Sequence, residues 1–192
     1  MNTHDLLTRE LLELKARLPK TPFFIGGGMG DDLGYDVKTP NFQFKKTVDA
    51  SGRELEIDLL TAPPKEEHAE QVKQSGIRAR PRDSPDIHGR IAEEAQSIDR
   101  DAIPIDLSDP ATAHDVDLPD PTIYIPSSFN YLILKLHAFA DRKDDEESDL
   151  GRHHAMDIFT TVTDMSEADW ESAQQHFDEE CEEPYLQQAI AI

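Results

Sequence analysis

The placement of proline and glycine limits this fold more than any other feature of the chain. Twelve of the 13 prolines and eight of the 9 glycines lie between residues 19 and 126. Proline removes a backbone donor and clashes with the preceding turn, and glycine weakens helix interiors. Long helices are therefore confined to the two ends, and the middle must consist of loops and short strands. The expected class is α/β (α+β): a small mixed sheet with a β-hairpin over residues 1–126, followed by a helical region over 127–192.

Residues Thr3 to Leu18 predict a helix, capped by Thr3 or Asp5, with Leu7, Leu11, Leu14 and Leu18 spaced by three and four. "FFI" predicts a short strand closed by "GGGMG". "NFQFKKTVDA" and "RELEIDLLTAPP" alternate around Ser51-Gly52 and predict a hairpin. "KEEHAEQVKQ" reads as a short exposed helix and "GIRARPRDSPDIHGR" as a basic loop. "AIPIDL" and "TIYIPS" read as short strands, with an acidic connector, "SDPATAHDVDLPDP", between them. Helices are expected from about Phe129 to Arg142, capped by Ser127 or Ser128, and from Ser148 or Asp149 to about Thr163. A third runs from a Ser166 cap to about Glu180, with Asp169 placed to complete a capping box.

Nineteen Lys and Arg against 40 Asp and Glu give a net charge of −21. Such a surface repels nucleic acid and anionic membrane wherever cations are not gathered locally, and it suits a basic protein partner. The single cysteine, Cys181, excludes an internal disulfide framework and fits a reducing, cytoplasmic setting. No apolar run is long enough to span a bilayer, and the N-terminal stretch lacks the basic and apolar regions of a signal peptide. Cys181 also sits among four glutamates, poor surroundings for a nucleophile.

Two stretches offer chemistry. In "ELEIDLL", Asp58 stands between Ile57 and Leu59, where a carboxylate serves as a metal ligand or general base, or else simply lies on the solvated face of a half-buried strand. "KLHAFADRKDDEESDLGRHHAMDIF" packs two lysines, two arginines, three histidines and seven carboxylates into twenty-five residues. Lys135 and Arg142 are seven apart, so they lie on nearly one side of a helix; Asp149, His153 and Asp157 step by four on the next. Packed antiparallel, the two rows either position a triphosphate and its metal or form a plain ion-pair network. His153 and Asp157 have metal-ligand spacing but lack the further ligands that zinc needs. "GGGMG" is neither a P-loop nor a dinucleotide fingerprint.

Taken together, "RELEIDLLTAPP" and "TIYIPSSFNYLILKLHAFADRKDDEESDLGRHHAMDIFTTV" resemble the minimal, toxin-type nucleotidyltransferases related to the AbiEii family. The two stretches cover roughly a third of the chain. The resemblance implies a mixed α/β nucleotidyltransferase core that binds a nucleoside triphosphate with Mg2+ and transfers a nucleotidyl group to a protein, RNA or small molecule. It implies that Asp58 is the third catalytic carboxylate and a metal ligand. Lys135 and Asp157 would be the lysine and aspartate near the phosphates, and Arg142 the intervening arginine. The family's Gly-Gly or Gly-Ser followed by Asp-x-Asp, whose aspartates hold two metals, has no counterpart here: Gly26-Gly27 is followed by the adjacent Asp31 and Asp32. The family pattern places the missing strand before a helix like Thr8 to Leu18, upstream of Met1. The expectation is thus a nucleotidyltransferase-fold protein, truncated or degenerate, with impaired transfer. The alternative is a non-catalytic acidic module such as a toxin–antitoxin-type component.

Overall fold

The computed structural model describes residues 3–17, 36–38, 43–47, 54–66, 70–82 and 88–192. The expected "FFI" strand, the glycine run and the Ser51-Gly52 turn lie outside the described residues. The chain is mixed α/β with a helical C-terminal part, as expected, and it divides into two compact units. The first comprises residues 1–91 and 103–125; the second takes residues 92–102 in addition to 126–192.

In the first unit, α1 (Thr3–Arg17) is followed by β1 (Asp36–Lys38), β2 (Gln43–Thr47) and β3 (Glu54–Asp58). These strands form an antiparallel sheet in the order β1-β2-β3, with Thr47 opposite Glu54 and Gln43 opposite Asp58. The expected hairpin is therefore present. A second sheet follows, with β4 (Leu60–Thr61), β5 (Val72–Ser75), β6 (Arg78–Pro81) and β7 (Gly89–Ile91) in the order β4-β7-β6-β5.

Two expectations fail here. The second half of "KEEHAEQVKQ" is strand β5 rather than helix, and the basic stretch after it supplies strands β6 and β7 rather than a loop. Gly76, at φ +60 with nothing within 4 Å of where a Cβ would stand, makes the reversal that pairs β5 with β6.

The strands β8 (Ile103–Asp106) and β9 (Thr122–Ile125) pair antiparallel. The connector between them carries a short helix, α2 (Ser108–Ala113), where the sequence predicted none. Pro110 sits in its first turn, where a missing N–H costs nothing. Leu12, Leu107, Ala111 and Ile123 form the buried core, with Leu11, Leu59, Ile105, Val116 and Leu118 packed against it. Lys15, only 2% exposed, donates from Nζ to Asp120 Oδ2 at 3.1 Å.

The second unit holds α3 (Ser128–Arg142), α4 (Arg152–Asp164), α5 (Glu167–Glu180) and α6 (Pro184–Ile190). The last was not anticipated; Pro184 occupies its first turn, and Tyr185, Leu186 and Ala189 are buried. Ser127 caps α3 by accepting from the Asn130 amide, and Ser166 caps α5 in a complete capping box with Asp169. Ile133, Tyr185, Leu186 and Ala189 make the core, with Phe129 and Leu136 against it. Among the described residues, no helix is long and apolar enough to cross a membrane.

Candidate functional site

The charged stretch that stood out in the sequence becomes a helical hairpin. Lys135 meets Asp157, and Arg142 meets His154, so positions rise along α3 as they fall along α4: the helices run antiparallel. The connection controls this pairing. Asp149, Leu150 and Gly151 have φ of 53°, 53° and 66°, three successive left-handed residues. A Cβ on Gly151 would stand 3.2 Å from Phe139 Cδ2, so any other residue there would press on that ring in a left-handed backbone that favours glycine.

Lys135 Nζ lies 2.7 Å from Asp157 Oδ2 and 5.0 Å from the centre of the Tyr131 ring. Partial burial works against the ammonium, yet the hydrogen bond to Asp157 and the nearness of Tyr131 outweigh it and raise the lysine above its ordinary pKa. Lys135 is thus a fixed cation at every physiological pH. Arg142 Nη1 lies 3.1 Å from His154 Nε2. A guanidinium only donates, so Nε2 accepts and the proton of the neutral ring sits on Nδ1. That Nδ1 is buried without a hydrogen-bond partner. Burial, then His153, Lys135 and Arg142, push the His154 pKa down against the opposing pull of Asp157. The ring is therefore neutral at pH 7, held between two permanent cations.

The expected row of Asp149, His153 and Asp157 does not form. Helix α4 starts only at Arg152, and the left-handed residues before it put Asp149 off the helix, where it pairs with Arg152 at 3.1 Å. His153 is exposed, and its ring centre lies 3.8 Å from that of His154, tilted by 48°; His154 is only 8% exposed. The sequence therefore directed attention to the wrong histidine of the pair. Helical phase alone does not choose between them, since His154 lies three and His153 four residues before Asp157; the contact of His154 with Arg142 does.

Of the four residues named from the sequence, the structure brings Lys135 and Asp157 into contact and sets Arg142 on the same helical pair. Asp58 closes β3 in the first unit, in register with Gln43, and its side chain lies outside the described residues. Among the described residues, no group of three or more His, Cys, Asp or Glu is arranged to hold a metal. Among the described residues, Asp157 is the carboxylate that Lys135 meets.

A second polar cluster holds the same unit together. Arg100 donates to Glu180 Oε1 at 2.7 Å and to Glu179. The Tyr185 hydroxyl donates to Glu180 Oε2 at 2.6 Å, leaving its oxygen to accept from His176 Nε2 at 3.1 Å. Burial, reinforced by Glu180, raises the Tyr185 pKa well above its ordinary value. Burial and then Arg100 lower that of His176 despite Glu180, so the 3.5 Å His176–Glu180 contact is a neutral one at pH 7. Ser97 Oγ donates to Asn130 Oδ1 at 2.8 Å, and Asn130 Nδ2 donates to the Arg100 carbonyl at 2.9 Å.

Comparison with protein-family models, curated proteins and solved structures finds no match to this chain.

Proposed function

We propose that this is a nucleotidyltransferase-fold protein whose α3–α4 face holds the phosphate tail of a nucleoside triphosphate, and that it binds nucleotide with little or no transfer. The observation that carries the reading is the Lys135–Asp157 pair at 2.7 Å beside an Arg142 that rests on a neutral, buried His154. Two fixed cations on one helical face attract a polyanion, and a buried donor without a partner calls for an explanation that a ligand would supply. The existing pair does not prevent binding. Its members are 23% and 38% exposed, so solvent screens the attraction to at most about 1 kcal/mol. A triphosphate carries more charge than one carboxylate and displaces Asp157 from the ammonium. The sequence has no Gly-Gly or Gly-Ser followed at the family's spacing by the Asp-x-Asp pair that two-metal transfer requires, and so the reading stops at binding.

Isothermal titration with Mg-ATP and Mg-GTP tests this. The wild-type chain binds at least one of them, and Lys135→Ala weakens that binding tenfold or more. Silence with every nucleotide leaves the other reading, an acidic toxin–antitoxin-type component that meets a basic protein. The exposed apolar side chains of Met156 and Phe159 on α4, 63% and 65% accessible, favour that reading if the titration fails.

A further inference from the structure

In a chain this acidic, one short stretch has the opposite sign. Residues 72–91 contain Lys73, Arg78, Arg80, Arg82 and Arg90 against two acids, Asp83 and Asp86, whereas the rest of the chain carries 14 cations and 38 acids. The strand register puts these cations together. Lys73 is opposite Arg80 and Ser75 opposite Arg78 across β5 and β6, and Arg78 is opposite Arg90 across β6 and β7. Directly opposed residues share a face, and so do residues two apart on one strand. Lys73, Ser75, Arg78, Arg80 and Arg90 therefore occupy one face, while Ala79 is buried on the reverse.

That face is concave. Lys73, Ser75, Arg78, Arg80 and His88, with the β6 chain at Ala79, line a hollow of about 310 Å3. Like charges directly opposite one another destabilise a sheet, and here two such pairs, Lys73/Arg80 and Arg78/Arg90, adjoin. Arg80, Arg82, His88 and Arg90 make contacts within the chain; among the described residues, none pairs with Lys73 or Arg78.

We propose that the β5–β6–β7 face docks the phosphate backbone of a nucleic-acid strand, without reading its bases. The cations span three strands, about 10 Å across, which is more than one phosphate group covers. Arginine predominates, and its planar fork suits phosphate oxygens. Residues 72–91 contain no Phe, Tyr or Trp, so the face has no large aromatic platform for reading bases and no aromatic anchor of a protein interface. The acidic remainder limits the partner to this face, since charges beyond about 8 Å are screened at physiological salt. The inference stands independently of nucleotide binding at α3–α4.

The test is fluorescence anisotropy of labelled 20-mers, mixed-sequence RNA and DNA, at 50 to 200 mM salt. Four phosphate contacts give a slope of log K against log salt of about −3, and therefore a loss of about 50-fold across that range. Lys73→Gln with Arg78→Gln reduces the slope by about 2 and weakens binding at least tenfold, with thermal melting used to confirm that the variant folds. Lys73→Arg with Arg78→Lys retains binding. Lys143→Gln, an exposed cation of the helical unit, leaves it unchanged. Three results overturn the proposal: no binding at 50 mM salt, binding indifferent to the double Gln variant, or equal competition by inorganic triphosphate. Salt-sensitive self-association abolished by the double Gln variant, without oligonucleotide binding, instead assigns the face to the acidic surface of a second copy.

Discussion

The two units handle buried polar groups in opposite ways. Among the described residues the first buries two charged side chains of α1, Glu10 and Lys15, and joins Lys15 to one half-exposed acid, Asp120, beside an apolar core. The second threads its interior with linked groups: Ser97 to Asn130 to the Arg100 backbone, and Arg100 through Glu180 to Tyr185 and His176. An apolar core is tolerant, because hydrophobic burial is not directional. A buried polar network is not, because removing one member strands the others away from water. The difference implies that the helical unit is specified by a few irreplaceable side chains and the α/β unit by overall pattern.

Asn130→Ala is the strongest way to break that comparison. The side chain is 2% exposed and serves Ser97, Ser127 and the Arg100 carbonyl at once. Its loss leaves a buried hydroxyl and a buried carbonyl short of partners, which costs about 3 kcal/mol. Trp170, the single tryptophan, lies in α5 and reports denaturant unfolding of this unit. Lys15→Met, its counterpart in the first unit, keeps the volume and returns Asp120 to water. It changes stability far less, because replacing a buried ion with an apolar side chain is often neutral. Hydrogen exchange of the β8 and β9 amides measures it. Equal losses in the two variants would mean that the units do not differ in this respect.

How far the fold was legible in the sequence follows the same division. Helices α3 and α5 and the Ser166 cap were readable because their signals are local: a cap residue, an apolar spacing, a partner three residues on. Strands β5 and β6 were not. Their alternation is of charges, Arg78-Ala79-Arg80, rather than of apolar residues, and the Gly76 reversal decides the pairing. At the candidate site, Lys135 with Asp157 was legible from helical phase. His154 was hidden because it lies three residues and His153 four residues before Asp157, so helical phase does not choose between the two. In α1, similarly, the expected leucine stripe gave no warning that Leu12 is fully buried.

A smaller effect sharpens the comparison through pH. His176 and His154 are held below their ordinary pKa, His176 by burial and Arg100, and His154 by burial and His153, Lys135 and Arg142. The folded chain keeps both rings neutral, while the unfolded chain protonates them below about pH 6.5. The unfolded state therefore binds more protons in that window, and stability falls as pH drops from about 6.5 toward the folded pKa values. Each ring contributes up to about 1.4 kcal/mol per pH unit. His176→Gln keeps a donor for Tyr185 and removes one titration, so the slope of stability between pH 6.5 and 5.5, followed at Trp170, becomes shallower. An unchanged slope would show that His176 does not titrate with unfolding.

The smallest expected change separates two neighbouring helix starts within the second unit. Helix α5 begins with reciprocal bonds: Ser166 Oγ accepts from the Asp169 amide at 3.2 Å, and Asp169 Oδ2 accepts from the Ser166 amide at 2.9 Å. The Ser166 hydroxyl and amide together lower the Asp169 pKa, so the box keeps its charge well into acid. Helix α4 begins on Gly151 with no side-chain cap and depends on its fit against Phe139. Ser166→Ala therefore removes about 1 kcal/mol and speeds exchange of the first-turn amides of α5, while those of α4 keep their wild-type rates. Gly151→Ala does the reverse, because a methyl group at φ +66 meets the Phe139 ring and loosens the start of α4. If Ser166→Ala also frees the first turn of α4, the two helix starts are cooperative rather than separately specified, and the contrast drawn here between local and packed signals fails at its smallest scale.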